Sequence, residues 1–243
     1  MTQVDTKDIV TIKNLIAFFI PYFIGVGGCY LFGYWSIVDI NVMEFIGLSD
    51  VAKLALYPLV ASLLLYAPGV MLSEISFGHL VPVGGGQNTK IGVVALRFSR
   101  LLLALLVLFI FVVYFVIPEP FKWFVIAVLA ISFSAPASHF SLAIKLVPNA
   151  RARVVILQAL IVLPILSFAI GRLNIHNVIK EKSAKTVDVT RSKLPLTSDK
   201  NNPVIYLGML GSTVILREMQ TGQIVLLKQR EETPIFLIPP RLN

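Results

Sequence analysis

The residue pair that comes closest to catalytic chemistry is Ser138 followed by His139, because a serine activated by a histidine can attack a carbonyl carbon. Adjacent residues of a helix point about 100° apart, so these two side chains do not meet if the segment is helical. The three histidines (His79, His139 and His176) are far apart and have no HxxxH or HExxH spacing. The sequence also lacks a GxSxG nucleophile turn. We therefore predict no catalytic residue, no metal site and no cofactor.

Four acidic residues form a second candidate site. They lie in two loops that the charge pattern places on one side of a membrane: Asp39, Glu44, Asp50 and Glu119. In a ring of several copies they would build an acidic vestibule that concentrates cations, as charged rings do in channels. The alternative is that loops on that side are simply poor in basic residues.

Two sets of small residues form a third candidate site. Gly25, Gly28 and Gly33 leave part of one apolar run nearly bare, and a later run has small residues at helical spacing: Ala130, Ser134 and Ser138. Small residues let helices in a membrane approach closely. These residues therefore predict a helix-packing face or a contact between copies of the chain.

The elements that must carry these residues are long apolar runs. Residues 101–118 contain no charge and, as a helix, would cover about 27 Å, close to the hydrocarbon thickness of a bilayer. Four further runs also lack Asp, Glu, Lys and Arg: 16–35, 54–73, 123–144 and 154–171. The chain is 56% hydrophobic and 14% charged, whereas soluble domains carry about 25% charged residues. This composition predicts a mainly α fold, a polytopic membrane bundle of about five transmembrane helices.

The chain changes character after this bundle, which we assign to residues 1–172. Residues 173–202 are polar and basic and predict a helical extension followed by a linker. Residues 203–243 hold short β-type runs with a glycine turn at Gly222, which predicts a small antiparallel β domain. A further strand near 186 would start this domain earlier. Residues 36–50 predict a short amphipathic helix at the membrane surface.

Lysine and arginine in short loops mark the cytoplasmic side of a membrane protein. The loops 74–100 and 145–153 carry three each, and the loops 36–53 and 118–122 carry one each. With five spans, the N-terminus is predicted to be cytoplasmic and the C-terminal domain to lie on the opposite side. Five basic residues between Arg172 and Arg191 argue for the reverse placement of that domain.

The function that these observations favour is non-catalytic. Proton relays and coupled transporters need charged residues inside the bundle, and the predicted spans contain none. The net charge of +8 belongs to membrane flanks and a linker, so we expect no nucleic-acid partner.

We expect a multi-pass protein of the cell inner membrane that contacts lipids and forms homo-oligomers. It would bind a protein partner through residues 186–243, as a membrane sensor or an immunity component of bacterial antiviral defence. The alternatives are a subunit of an oligomeric ion channel and, third, a lipid-modifying or proteolytic enzyme.

Overall fold

The computed structural model describes residues 6–38, 40–41, 44–45, 47, 51, 56, 60, 64, 68, 93, 97–138, 140–180, 184–192, 194, 203–228 and 234–239. In this part of the chain, helices come first and a C-terminal antiparallel β-sheet follows, in the predicted order. The second predicted span and the predicted surface helix 36–50 lie largely outside these residues. The structure gives a turn at residues 36–38, and the four residues that it describes in the second predicted span, 56, 60, 64 and 68, are helical.

Six α-helices and one 3₁₀ turn are described. They are α1 (Thr6–Trp35), α2 (Ser99–Val116), α3 (Phe121–Ala130), the 3₁₀ turn (Ile131–Phe133), α4 (Ser134–Ala137), α5 (Ser141–Leu146) and α6 (Ala150–Ile179). The helices α1 and α6 have 30 residues each and contain one internal proline each. The last helix therefore continues well beyond the predicted end of the fifth span.

One helix of the described chain, Ala152–Ile179, is long and apolar enough to cross a membrane by length and composition. The prediction of a five-span bundle is therefore not supported by the other helices. The predicted fourth span, 123–144, is not one helix, because the backbone becomes extended at Phe140 before α5 begins. Upstream of Phe140, the 3₁₀ turn Ile131–Phe133 already interrupts the α-helix, and there the Ser134 hydroxyl donates to the Ile131 carbonyl at 2.6 Å. Serine hydroxyls that bond to the preceding turn bend helices.

The first and last helices, α1 and α6, pack side by side and run parallel. The Tyr22 hydroxyl donates to the Ala159 carbonyl at 3.2 Å. Further along both helices, the buried Ser167 hydroxyl donates to the Val26 carbonyl at 2.9 Å. Residue numbers rise together on the two helices, so their C-terminal ends lie at the same end of the molecule.

Two glycines allow the backbones of α1 and α6 to touch. A Cβ atom at Gly33 would lie 3.1 Å from the Phe168 carbonyl carbon and closer still to its oxygen. A Cβ atom at Gly171 would lie 2.9 Å from the Tyr34 nitrogen. Since backbone atoms cannot rotate away as a side chain can, only glycine fits at these two positions.

The helices α2 and α3 form a hairpin through the short connection 117–120. Trp123 of α3 packs edge-on against Phe168 of α6, with ring centroids 4.5 Å apart. In contrast, α2 buries only Val113 among its described side chains. Its exposed large apolar residues are Leu101, Leu103, Leu105, Val107, Leu108, Phe109, Phe111, Val112, Tyr114, Phe115 and Val116. This helix therefore presents an apolar surface on almost every side.

The sheet has five strands: β1 (Lys185–Val187), β2 (Val204–Leu210), β3 (Thr213–Glu218), β4 (Ile224–Lys228) and β5 (Leu237–Ile238). Their order is β4-β3-β2-β1-β5, and every neighbouring pair is antiparallel. Each of the β-type runs in the sequence contributes a strand, and β1 is the additional strand expected near 186. The β3–β4 turn contains Gly222 at a positive φ of 68°.

Each face of the sheet carries a cluster of buried residues. The helix-facing face packs on the ends of α1 and α6, forming a cluster that we name the joint: Leu31, Trp35, Val38, Ile175, Ala184, Ile205, Leu207, Leu210 and Ile215. The outer face carries a second cluster of buried valines and leucine: Val187, Val189, Val204, Val214 and Leu216. Residues 194 and 235 lie against that second cluster. The joint therefore holds the sheet on the helices, and the outer cluster is a second apolar core on the other face of the sheet.

Replacing Gly33 with alanine should lower the free energy of unfolding by about 1–3 kcal/mol, the usual cost of forcing extra atoms into packed structure. The new methyl group would meet the Phe168 backbone. Thermal unfolding followed by circular dichroism in detergent measures the loss. Gly25→Ala is the matched control on the same helix, because no described atom lies within 4 Å of its Cβ position. Equal losses in the two variants would contradict the close contact.

Candidate functional site

The most specific feature of the joint is the site that holds the side chain of Trp35, the last residue of α1; we call this site, over Gly208 of β2, the seat. Its side chain is only 3% exposed. The β2–β3 pairing shifts register between Tyr206 and Gly208, and Gly208 adopts a φ of 154°, which other residues rarely do. A Cβ atom at Gly208 would lie 3.2 Å from two carbons of the Trp35 indole. The irregularity in β2 and the missing side chain together make room for this ring.

Polar contacts beside this ring fix the end of α1 to its neighbours. The Tyr34 hydroxyl donates to the Leu207 carbonyl in β2. The rings of Tyr34 and Trp35 meet edge-on with centroids 4.9 Å apart. On the other side, the Asn174 amide of α6 donates to the Tyr30 hydroxyl at 3.1 Å. Three elements, α1, α6 and β2, are therefore joined by contacts within one helical turn.

The chemistry available at the joint is that of packing. All nine buried residues of the cluster are apolar. In the neighbouring part of β2, burial raises the pKa of the Tyr206 phenol, so this hydroxyl stays neutral well above physiological pH. The joint therefore offers a rigid mechanical connection between the sheet and two helices.

The predicted acidic vestibule is only partly within the described chain. Glu44 is exposed and accepts a 2.8 Å hydrogen bond from the Asn41 amide. Glu119 forms an ion pair with Lys122 at 2.8 Å and accepts a 3.1 Å hydrogen bond from the Trp123 indole. Asp39 and Asp50 lie outside the described residues. The Glu119 carboxylate is thus paired within its own turn, and the acidic vestibule stays a prediction.

The α2–α3 turn is itself a small aromatic and charged cluster. The Lys122 ammonium group lies 4.2 Å from the centre of the Tyr114 ring, within range of a cation–π attraction. Through the contact between Trp123 and Phe168, this turn reaches the same level of α6 as Gly33 of α1. The turn therefore lies towards the end of the helices that carries the sheet.

The predicted small-residue faces divide between two environments. Ala130, Ser134 and Ser138 are all buried, in a segment whose helices α3 and α4 contact α6. Gly33 contacts α6 directly, whereas Gly25 and Gly28 have no described atom within 4 Å of their Cβ positions. The structure therefore does not bring the six residues together into one face.

Sequence reasoning missed Gly171, the partner of Gly33 at the helix crossing, and the buried Ser167. The only signal for Gly171 was its place between an apolar run and Arg172, which we interpreted as the end of a span. A glycine inside a continuing helix indicates a close backbone approach, because it costs about 1 kcal/mol of helix stability relative to alanine. The continuation of α6 to Ile179 makes Gly171 such a residue.

Two arginines bracket the apolar part of α6. The Arg153 guanidinium donates to the Val147 carbonyl at 2.9 Å, and the Arg172 guanidinium lies 5.5 Å from the centre of the Phe168 ring. Their buried Nε atoms have no hydrogen-bond partner among the described residues. At a helical rise of about 1.5 Å per residue, the two positions are about 28 Å apart along α6. This distance is close to the thickness of a bilayer's hydrocarbon core.

No protein-family model, curated protein or solved structure matches this chain. In the ranges that the structure describes, no group of three His, Cys, Asp or Glu side chains could hold a metal ion. The candidate functional site therefore rests on geometry alone, and the joint is its best-defined element.

Replacing Gly208 with valine should release Trp35 from its seat. The new side chain would overlap the indole and would force a strained backbone, a cost of about 1–3 kcal/mol. In a Trp123→Phe background, Trp35 is the only tryptophan, so its fluorescence reports the joint directly. We expect the emission to shift to longer wavelength and acrylamide quenching to increase.

Gly222→Val is the control for this experiment, because it introduces strain at another positive φ, with the Arg217 side chain 3.9 Å away and no contact to Trp35. It should leave the emission of Trp35 unchanged. A similar spectral shift in both variants would mean that general loss of sheet stability, and not the seat at Gly208, controls the exposure of Trp35.

Proposed function

We propose that this chain is a non-catalytic multi-pass membrane protein that assembles with itself and binds a protein partner through its C-terminal sheet. Its role would be that of a sensor or an immunity component in bacterial defence, a role suggested by the architecture alone. The joint is the observation that carries the proposal. Because the sheet shares a core with the ends of α1 and α6, a partner bound to the sheet acts on the helices without an intervening flexible linker.

The exposed apolar surface of α2 supports a membrane location. Each exposed apolar side chain costs about 25 cal/mol for every Å² that water must cover, and lipid removes this cost. Tyr114 and Trp123 lie at the α2–α3 turn, and Tyr114 is exposed there. Aromatic residues of this kind are enriched at membrane surfaces. Arg153 and Arg172, near the two ends of the apolar part of α6, are separated by about the thickness of the same hydrocarbon core.

The parallel arrangement of α1 and α6 supports an odd number of crossings. In a bundle of five spans, the first and fifth helices run in the same direction, and both would end on the side that carries the sheet. The α2–α3 turn lies towards that same side, where a connection between a third and a fourth span belongs. With the basic loops at the other side, this topology gives a cytoplasmic N-terminus in the inner membrane.

The outer face of the sheet is the proposed partner surface. Met209 is 46% exposed there, and in the described sheet β4 pairs only with β3, which makes it an edge strand. Edge strands present unpaired backbone groups that an extended segment of another protein can join. The proposed surface thus combines the exposed Met209 side chain with the described edge strand β4.

Self-assembly is tested by replacing Gly25 with leucine. This position faces no described atom, so a larger side chain should leave the protomer folded but keep a second copy away. We expect light scattering in detergent to show a smaller oligomer, with an unchanged circular dichroism spectrum. Val112→Leu on the exposed surface of α2 is the control. An unfolded Gly25→Leu protomer would show instead that this glycine packs within its own chain.

Partner binding is tested by placing a photo-crosslinking amino acid at position 209 and, as a control, at position 112 of α2. In living cells, position 209 should give an adduct with one protein, identified by mass spectrometry, and position 112 should not. The Gly208→Val variant should weaken this adduct if the intact joint presents the surface. The same set of adducts at both positions would contradict a partner surface on the sheet.

A further inference from the structure

The register of the sheet determines which side chains point towards the membrane end of the helices. Along β4, Ile224 packs against the joint, whereas Val225 and Leu227 pack against the outer cluster. Side chains alternate between the faces of a strand. Leu226 and Lys228 therefore lie on the helix-facing face.

Two further residues join them on this face. Arg217 of β3 is paired with Ile205 and Ile224, which both pack in the joint or against it. Ile238 of β5 is paired with Thr186, which is in turn paired with Ile205. Residues paired directly across a sheet lie on the same face.

These four residues, Arg217, Leu226, Lys228 and Ile238, form what we name the overhang. The ends of α1 and α6 cover the centre of the helix-facing face, and the overhang lies beside this contact on both sides of the sheet. Leu226 is 44% exposed and Ile238 is 48% exposed. Within the described chain, neither Arg217 nor Lys228 forms an ion pair. The helix ends therefore leave Leu226 and Ile238 uncovered.

We propose that the overhang rests on the surface of the bilayer and binds anionic lipid headgroups. This inference depends on the membrane location proposed above. Leucine and isoleucine would enter the boundary between headgroups and acyl chains, and the two cations would contact lipid phosphates. The long stems of Lys228 and Arg217 allow their charges to reach the phosphate level while the strands stay above it.

A lipid occupant is favoured over a protein by the direction of this face. It is the same face that meets the helix ends, so it points towards the plane at which α1 and α6 leave the hydrocarbon. The last turn of α1 meets this face at Tyr34 and Trp35, which contact Leu207 and Gly208 of β2. The segment 173–243 also has more basic than acidic residues, which suits an anionic surface.

The test uses the full chain in nanodiscs, with Cys29 replaced by serine and one new cysteine that carries an environment-sensitive fluorophore. Leu226→Cys places the label in the overhang. Met209→Cys is the matched control, because it is equally exposed but lies on the outer face. Two kinds of nanodisc are prepared, one of phosphatidylglycerol and one of phosphatidylcholine, and each includes lipids that carry a nitroxide quencher near the headgroup. We expect several-fold stronger quenching at 226 than at 209.

Two further measurements vary the charge of the overhang and the depth of the quencher. Reversing both cations (Arg217→Glu and Lys228→Glu) should reduce quenching at 226 in phosphatidylglycerol towards the value at 209. A label at Val112→Cys, read with a nitroxide deep in the acyl chains, reports the membrane location separately. Quenching at 112 without quenching at 226 overturns the overhang proposal alone, and absence of quenching at 112 overturns the membrane location. A shielded but unquenched label at 226 shows a protein occupant and also overturns the proposal.

Discussion

The packing of Trp35 against Gly208 is the contact on which the rest of the structure depends. It lies where the first helix, the last helix and the second strand meet, and it needs three separate features of the chain at once. One is an aromatic residue at the end of α1, the second is a register shift in β2, and the third is the absence of a side chain at Gly208. Without this seat, the apolar ends of α1 and α6 would face water, and the sheet would lose one of its two cores.

This arrangement makes the sheet and the helix pair one mechanical unit. A sheet of five short strands buries little apolar surface by itself, and two-stranded pieces of it would be marginal. The helix ends contribute the missing half of its core, while the sheet covers helix ends that would otherwise be exposed. The sheet and the helix pair then depend on the same contacts, because β2 meets α1 at Leu207 and Gly208.

The strands were predictable because their signals are local. Short β-type apolar runs and the turn at Gly222 indicate a hairpin without knowledge of the rest of the chain. The helix contacts were not predictable in the same way, because the role of a glycine depends on what faces it. Gly25, Gly28 and Gly33 are equivalent in sequence, yet among the described residues only Gly33 meets a neighbouring backbone, and Gly171 at the same helix crossing had been taken as the end of a span. The change to extended backbone at Phe140 was also missed, because Ser134 and Ser138 were interpreted as a packing face of one continuous helix.

The parallel pairing of the first and last helices has a consequence for biosynthesis. Val26 and Ser167, which share a buried hydrogen bond, are separated by 141 residues. A ribosome adds about 5–20 residues each second, so the first helix must wait many seconds before its partner is made. During that interval the contacts of Gly33 with Phe168 and of Trp35 with Gly208 do not yet exist, so both sites of α1 must stay available until α6 and β2 are made.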